Sequence, residues 1–175
     1  MTSIGNNSVT GGIIVETEAY AGPIDRASHA YKNRKTKRTE VMYNEGGVAY
    51  VYLCYGIHHL FNVITNKSDI PHAVLIRALE PIEGMKTMQL RRKFTKISPR
   101  LTNGPGSLSM AMGINTYYNR IDLTGNIIWI EDRGVRVNKY NIISSPRVGV
   151  QYAGKDADKP WRFRIRNNIY CSPVT

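Results

Sequence analysis

The sequence predicts a single α+β domain built on a largely antiparallel sheet, and three observations predict it. Short runs that alternate apolar with polar residues recur along the chain, each bounded by Gly, Pro or Asn. Only two segments carry helical spacing, and both fall together in one stretch of the chain instead of alternating with the strands, as a parallel sheet would require. The length, 175 residues with 42% hydrophobic content, suits one domain with a full core. No repeat, low-complexity tract or linker divides it.

Taken in order, residues 1–11 are polar and rich in Gly, Ser and Asn, so a frayed lead-in is expected there. Ile13 to Tyr20 reads as a strand, with Ile13, Val15 and Thr17 alternating against Ile14, Glu16 and Glu18, and Gly22-Pro23 ends it. Tyr31 to Arg38 is a loop carrying five positive charges. Val48 to Tyr55 alternates as a strand with Tyr50, Tyr52 and Cys54 on one face, and Gly56 permits a tight turn into a second strand from about His59 to Thr65. The pair forms a hairpin with Tyr55 near its tip. His72 to Leu79 is a further strand that puts Leu75 and Arg77 on one face.

Pro81 to Lys93 reads as a helix, because Pro81 suits a first turn and Arg91-Arg92-Lys93 suits the negative end of the helix dipole. Gly104-Pro105-Gly106 opens a shorter helix containing Leu108, Met110, Ala111 and Met112. Ile127 to Glu131, Arg147 to Tyr152 and Trp161 to Arg166 are the remaining strand candidates.

The charge balance points to a partner. With 24 Lys+Arg against 13 Asp+Glu, the formal net charge is +11, which favours a polyanion. No apolar run approaches the length of a membrane span, so nucleic acid is the better fit. Cys54 and Cys171 are far apart and sit in no redox or metal spacing, which suits a reducing, intracellular compartment. His29, His58, His59 and His72 form no metal motif either, so neither a metal nor another cofactor is expected.

Two features suggest chemistry without settling it. Glu16 and Glu18 share a strand face, and periodicity alone does not separate a working acid from a salt-bridged one. Eleven tyrosines serve core packing or, beside cationic loops, offer flat rings to unstacked bases. Tyr55 is the sharper case, since a large ring at a hairpin tip has little core to enter. Gly104-Pro105-Gly106 either marks a turn or exposes a helix start that receives an anion.

Six blocks in order then resemble the alkyladenine (3-methyladenine, methylpurine) DNA glycosylase family. They are Val15-Glu16-Thr17-Glu18-Ala19-Tyr20 with Gly22-Pro23 and Ala27-Ser28-His29; Tyr50-Val51-Tyr52-Leu53-Cys54-Tyr55-Gly56 with Asn62-Val63; and Val74 to Pro81. Asn103 to Gly106, Pro146 to Val150 and Lys159 to Phe163 complete the set, which spans residues 12–166. The resemblance implies a curved sheet flanked by helices with a protruding hairpin, and one glycosylase domain over residues 12–175. Family members place a helix and a first strand ahead of this region, where only eleven mostly polar residues precede Gly12.

By the same resemblance, Glu18 is the general base that activates water, and Arg77 holds that water and keeps Glu18 ionised. Tyr20 and His29 form one wall of a base pocket and Tyr52 the other. Asn62 narrows the pocket against guanine's amino group, and Tyr55 fills the gap left in the duplex. The implied activity is removal of alkylated or deaminated purines by water, without strand cleavage, as the first step of base excision repair. The implied partner is double-stranded DNA holding a damaged purine, bound by a monomer that needs no cofactor.

Overall fold

The computed structural model describes residues 1–3 and 8–172. Its strands are β1 (Thr2–Ser3), β2 (Val9–Ala21), β3 (Ala49–Cys54), β4 (His58–Thr65), β5 (His72–Glu83), β6 (Ile142–Ser145) and β7 (Arg162–Ile165); its α-helices are α1 (Met85–Arg92) and α2 (Pro105–Met112). The strands form one sheet in the order β3-β4-β5-β2-β7-β6, with β1 beside the start of β2. Every pairing is antiparallel, so the fold is α+β with an antiparallel sheet.

Period-two alternation decides what each face buries. Ala49 and Val51 of β3, Phe61 of β4, and Ile76 and Leu79 of β5 face Met88 of α1 and Leu108, Ala111 and Met112 of α2. Residues of opposite parity, Tyr50, Ile64 and Ala73, face the other way and meet Ala30, Val41, Met42 and Tyr43. At about 1.5–3 kcal/mol for each large side chain fully buried, the helix-side cluster anchors the sheet. The tyrosine side is left to form a cleft.

Two irregularities in the β2–β5 register shape that cleft. Ile14 pairs with Leu79 and Glu16 with Ala78, while Thr17 pairs with Ile76, so Val15 and then Arg77 are extra residues in the ladder. The slip at Arg77 explains how Leu79 joins Ile76 on the helix side although their numbers differ by an odd step. It also drives the Arg77 side chain between the two glutamates of β2.

Several expectations need correction. The lead-in does not fray over its described part: β1 pairs with β2, Thr2 and Thr10 are buried, and their hydroxyls bond at 2.6 Å. Residues 4–7 lie outside the described residues. Polar residues serve here because the Thr2 hydroxyl also reaches the Met112 carbonyl at 3.0 Å, leaving no unpaired group. Pro81 belongs to β5, opposite Gly12, and the helix begins only after Gly84, whose φ of 69° ends the strand.

Ile127 to Glu131 is not a strand; it makes one bridge, Ile128 to Thr2, because its partner β1 is only two residues long. Arg147 to Tyr152 is irregular, since Arg147 turns inward to Asp25 and Gly149 adopts φ 73° before a 3-10 segment, Gln151–Asp158. The sheet's outer strand β6 was not anticipated. It is short, and only weak alternation marks it.

Candidate active site

The β3–β4 hairpin, the middle of β2 and the start of α2 enclose a cleft of about 660 Å³ on the tyrosine side of the sheet. Glu18, Tyr20, His29, Tyr52, Tyr55, Asn62 and Arg77 all line it, so the fold brings together all seven candidate side chains. A second cavity of about 250 Å³ lies on the helix side and is lined mainly by aliphatic groups such as Phe61, Leu79 and Leu108. The first is the candidate site because converging polar groups accompany its rings.

Glu18 lies at the floor and is fully buried. Its carboxylate accepts two hydrogen bonds, from the Tyr20 hydroxyl at 2.8 Å on Oε2 and the Val148 amide at 2.8 Å on Oε1, and Arg77 Nη1 stands 3.2 Å from Oε1 as an ion pair. A carboxylate offers about four acceptor positions, so it keeps capacity for a water. Burial, then the neighbouring Glu18 charge, raises the Tyr20 phenol well above its ordinary value, and Tyr20 stays a donor. Arg77 is itself buried, with Nε 2.7 Å from Glu16 Oε1. The two glutamates thus differ in surroundings although they share a face: Glu18 lines the cleft, and Glu16 lies behind Arg77.

The walls are aromatic and backed by cations. Arg147 sits 4.7 Å from the Tyr20 ring centroid, held by a bidentate pair to Asp25 at 2.5 and 2.8 Å with both side chains fully buried. Arg38 sits 4.8 Å from the Tyr52 centroid. His29 meets Tyr52 edge-on, with centroids 4.7 Å apart and planes at 73°. Rings that stack on both faces of a base lie about 7 Å apart, twice a van der Waals contact, so a base enters between these two only after they separate.

The hydrogen bonds of His29 define its state. Arg38 Nη2 approaches Nε2 at 3.4 Å and is only a donor, so Nε2 carries the lone pair and Nδ1–H donates to the Tyr50 hydroxyl at 2.8 Å. Burial first, and then the charges of Arg38 and Arg34, lower the His29 pKa from 6.5 to about 4. The imidazole is neutral near pH 7. Asn62 is buried, and its Nδ2 donates to the carbonyls of Tyr50 at 3.0 Å and Leu60 at 3.4 Å.

At the hairpin tip Tyr55 is 87% exposed and adopts φ 50°, a left-handed conformation unusual for an aromatic residue. Gly56 follows at φ 73°, and the turn closes with Ile57 N–H on the Cys54 carbonyl at 3.1 Å. Across the cleft mouth, α2 begins against the hairpin. A Cβ on Gly106 would stand 2.9 Å from the His58 ring, so any other residue forces that ring to shift. Among the described residues no group of three or more His, Cys, Asp or Glu side chains is placed to hold a metal, and no helix is long and apolar enough to cross a membrane.

Sequence reasoning missed the partners that act from behind: Glu16, Arg38, Arg147 and the Val148 amide. Val148 contributes a backbone N–H, which no side-chain identity announces. Arg147 and Val148 do fall within a block that was singled out, Pro146 to Val150, but without a role.

Comparison with known proteins gives a consistent picture. The pattern of the family described as methylpurine-DNA glycosylase (MPG) matches residues 2–169. A protein of Natranaerobius thermophilus is 49% identical over 160 residues, covering 91% of this chain and 81% of its own. One from Chlamydia abortus is 49% identical over 159 residues, 89% of this chain and 81% of its own. A third, from Bacillus cytotoxicus, is 46% identical over 169 residues, 92% and 83%. All three bear the name "Putative 3-methyladenine DNA glycosylase".

Proposed function

The chain belongs to the methylpurine-DNA glycosylase family, and from that premise we propose that it removes alkylated or deaminated purines from duplex DNA by hydrolysis. The observation that carries the reading is the Glu18 carboxylate, buried in an aromatic cleft, held by two hydrogen bonds and an Arg77 ion pair, with acceptor capacity left for a water. Duplex DNA binds along the basic surface, and the damaged nucleotide rotates out of the stack into the cleft. Tyr55, exposed at the hairpin tip, fills the space it vacates.

Tyr20 and His29 on one wall and Tyr52 on the other hold the extruded purine once His29 and Tyr52 part, and Asn62 restricts the room beside it. Water hydrogen-bonded to Glu18 attacks C1′ as the bond from C1′ to the purine nitrogen breaks. The bonding pair leaves with the base, and the water proton passes to Glu18. An alkylated purine carries positive charge and departs neutral, so a positioned base and a ring-lined pocket suffice; a neutral deaminated purine departs as an anion and takes a proton from solvent. General base catalysis contributes roughly 10²–10⁴-fold. The nucleophile is water, since no lysine amine lines the cleft, and the strand is left with an intact abasic site. The protein acts as a monomer without a cofactor, and its product is the substrate for later repair steps.

Single-turnover excision tests this reading. The substrates are a duplex with one hypoxanthine or ethenoadenine, and randomly methylated DNA, each with and without chelator. We expect free base, an uncut abasic strand and no effect of chelator, with excision lost in Glu18→Gln while DNA binding persists. Tight binding with no base released by folded protein would instead mark a DNA-binding module. Near-normal excision by Glu18→Gln would remove Glu18 from the base role.

A further inference from the structure

Behind the cleft lies a second carboxylate that the proposed reaction does not use. Glu16 is 1% exposed, and Arg77 Nε and Arg162 Nε donate to its Oε1 at 2.7 and 2.8 Å. The end of the described chain closes the other side: Ser172 N–H reaches Oε2 at 2.6 Å, and the Ser172 hydroxyl lies 2.7 and 2.8 Å from the two oxygens. Arg162 Nη2 in turn holds the Ser172 carbonyl at 3.2 Å and its hydroxyl at 3.0 Å.

Burial alone would raise the Glu16 pKa; the bonds from Ser172 and Arg77 outweigh burial and keep it below the ordinary value. Glu16 is therefore a fixed anion. It does not line the cleft, whereas Arg77 does, and Arg77 spends Nε on Glu16 and Nη1 on Glu18. A planar guanidinium gripped at one edge presents its other edge in one orientation. Two buried carboxylates are matched by two buried guanidiniums, so deleting one charge leaves its partners uncompensated.

We propose that Glu16 is a positioning residue for the hydrolytic site: held by Arg162 and Ser172, it fixes the guanidinium of Arg77 and thereby the carboxylate of Glu18. The proposal rests on the glycosylase reading for its kinetic consequence. Its geometric content, the clamping of Arg77 by Glu16, stands on its own. Ser172 makes the C-terminal segment part of the site, although it is 154 positions from Glu18 in sequence.

The test pairs kinetics with a spectroscopic readout on the full chain. Glu16→Gln keeps the side-chain shape but removes the charge, and its amide group puts donors against donors. Misplacing a reacting group by about 1 Å costs on the order of 10²-fold, so the single-turnover rate constant should fall about 100-fold. Affinity for a duplex bearing an abasic site and the fraction of active molecules should stay within about threefold of wild type.

Ser172→Ala, which keeps the backbone donor, should fold normally and lose several-fold in rate. It decides the matter if Glu16→Gln does not fold. A purely structural role would lower the active fraction and leave the rate constant unchanged, and that result would overturn the proposal. So would a wild-type rate in Ser172→Ala. The Nε–H proton of Arg77, observed by ¹⁵N-edited NMR, should exchange slowly with water in wild type and rapidly in Glu16→Gln. If the wild type releases no base, the glycosylase reading fails, and the Arg77 signal still judges the clamp.

Discussion

Lowering the pH from 7 to 5 should destabilise the protein by about 2 kcal/mol through one side chain, His29. Its pKa in the folded protein is about 4 against 6.5 when free. A gap of about 2.5 pH units, at about 1.36 kcal/mol each, sets a ceiling near 3.4 kcal/mol. The sign follows from proton uptake: the unfolded chain binds the proton first as pH falls, so stability drops between pH 6.5 and 4 and is flat above that window. Between pH 7 and 5 the expected loss from this group is about 2 kcal/mol.

Urea unfolding of wild type and His29→Gln across that range isolates the contribution, because other groups titrate in both. The difference between the two proteins should shrink or grow with pH only below about 6.5. Burial is the larger cause and the Arg38 charge the second. Arg38→Gln should therefore raise the His29 titration only part of the way to 6.5. Titration of the His29 ring protons by NMR gives the same quantity directly. A midpoint near 6.5, or a wild-type minus variant difference that does not vary with pH, would refute the lowering of the His29 pKa by burial and the neighbouring cations. The functional corollary is that the pocket gains no cation from His29 at pH 5.5, so excision of positively charged purines should not fall there on its account.

Other consequences are open to direct measurement. Tyr55→Gly removes a left-handed aromatic residue, so folding stability should hold or rise by up to about 1 kcal/mol, while lesion-bearing DNA binds about 1–3 kcal/mol more weakly; unchanged affinity and single-turnover excision would count against the wedge. Gly106→Ala places a methyl group against the His58 ring, which should cost about 1–3 kcal/mol in thermal or urea unfolding. Adding His58→Ala should restore most of that loss, and full tolerance of Gly106→Ala alone would show that the hairpin and α2 are not in the close contact described.

Much of the site was legible in the chain because the relevant signals are local. Alternation at Tyr50, Tyr52 and Cys54 identified the cleft-facing side of β3, and the Tyr55-Gly56 pair marked a turn with its ring outside the core. Glu18 and Tyr20 are two residues apart on one strand, so strand geometry puts both on one face, where they hydrogen-bond at 2.8 Å. Helix α2 opened where Gly-Pro-Gly said it should. Local signals also misled. Proline at position 81 suits a helix start and an extended strand equally, and only the pairing with Gly12 selects the strand.

By itself, then, the sequence determined the α+β class, the tyrosine face, the hairpin tip and the seven side chains worth testing. Strand parity alone did not separate Glu16 from Glu18; the family resemblance pointed to Glu18, and only tertiary structure shows how their surroundings differ. Both have the same strand parity, and what separates them comes from distant chain: a bulge at Arg77, the Val148 amide on Glu18, and Arg162 and Ser172 on Glu16. Likewise, the sequence near His29 supplies the charges of Arg38 and Arg34, but the larger cause of its lowered pKa, burial beside Tyr50, comes from β3. Periodicity reports which way a side chain points. Its ionisation and its job depend on the dielectric, donors and charges that meet it there, and those are supplied by residues brought from far along the chain.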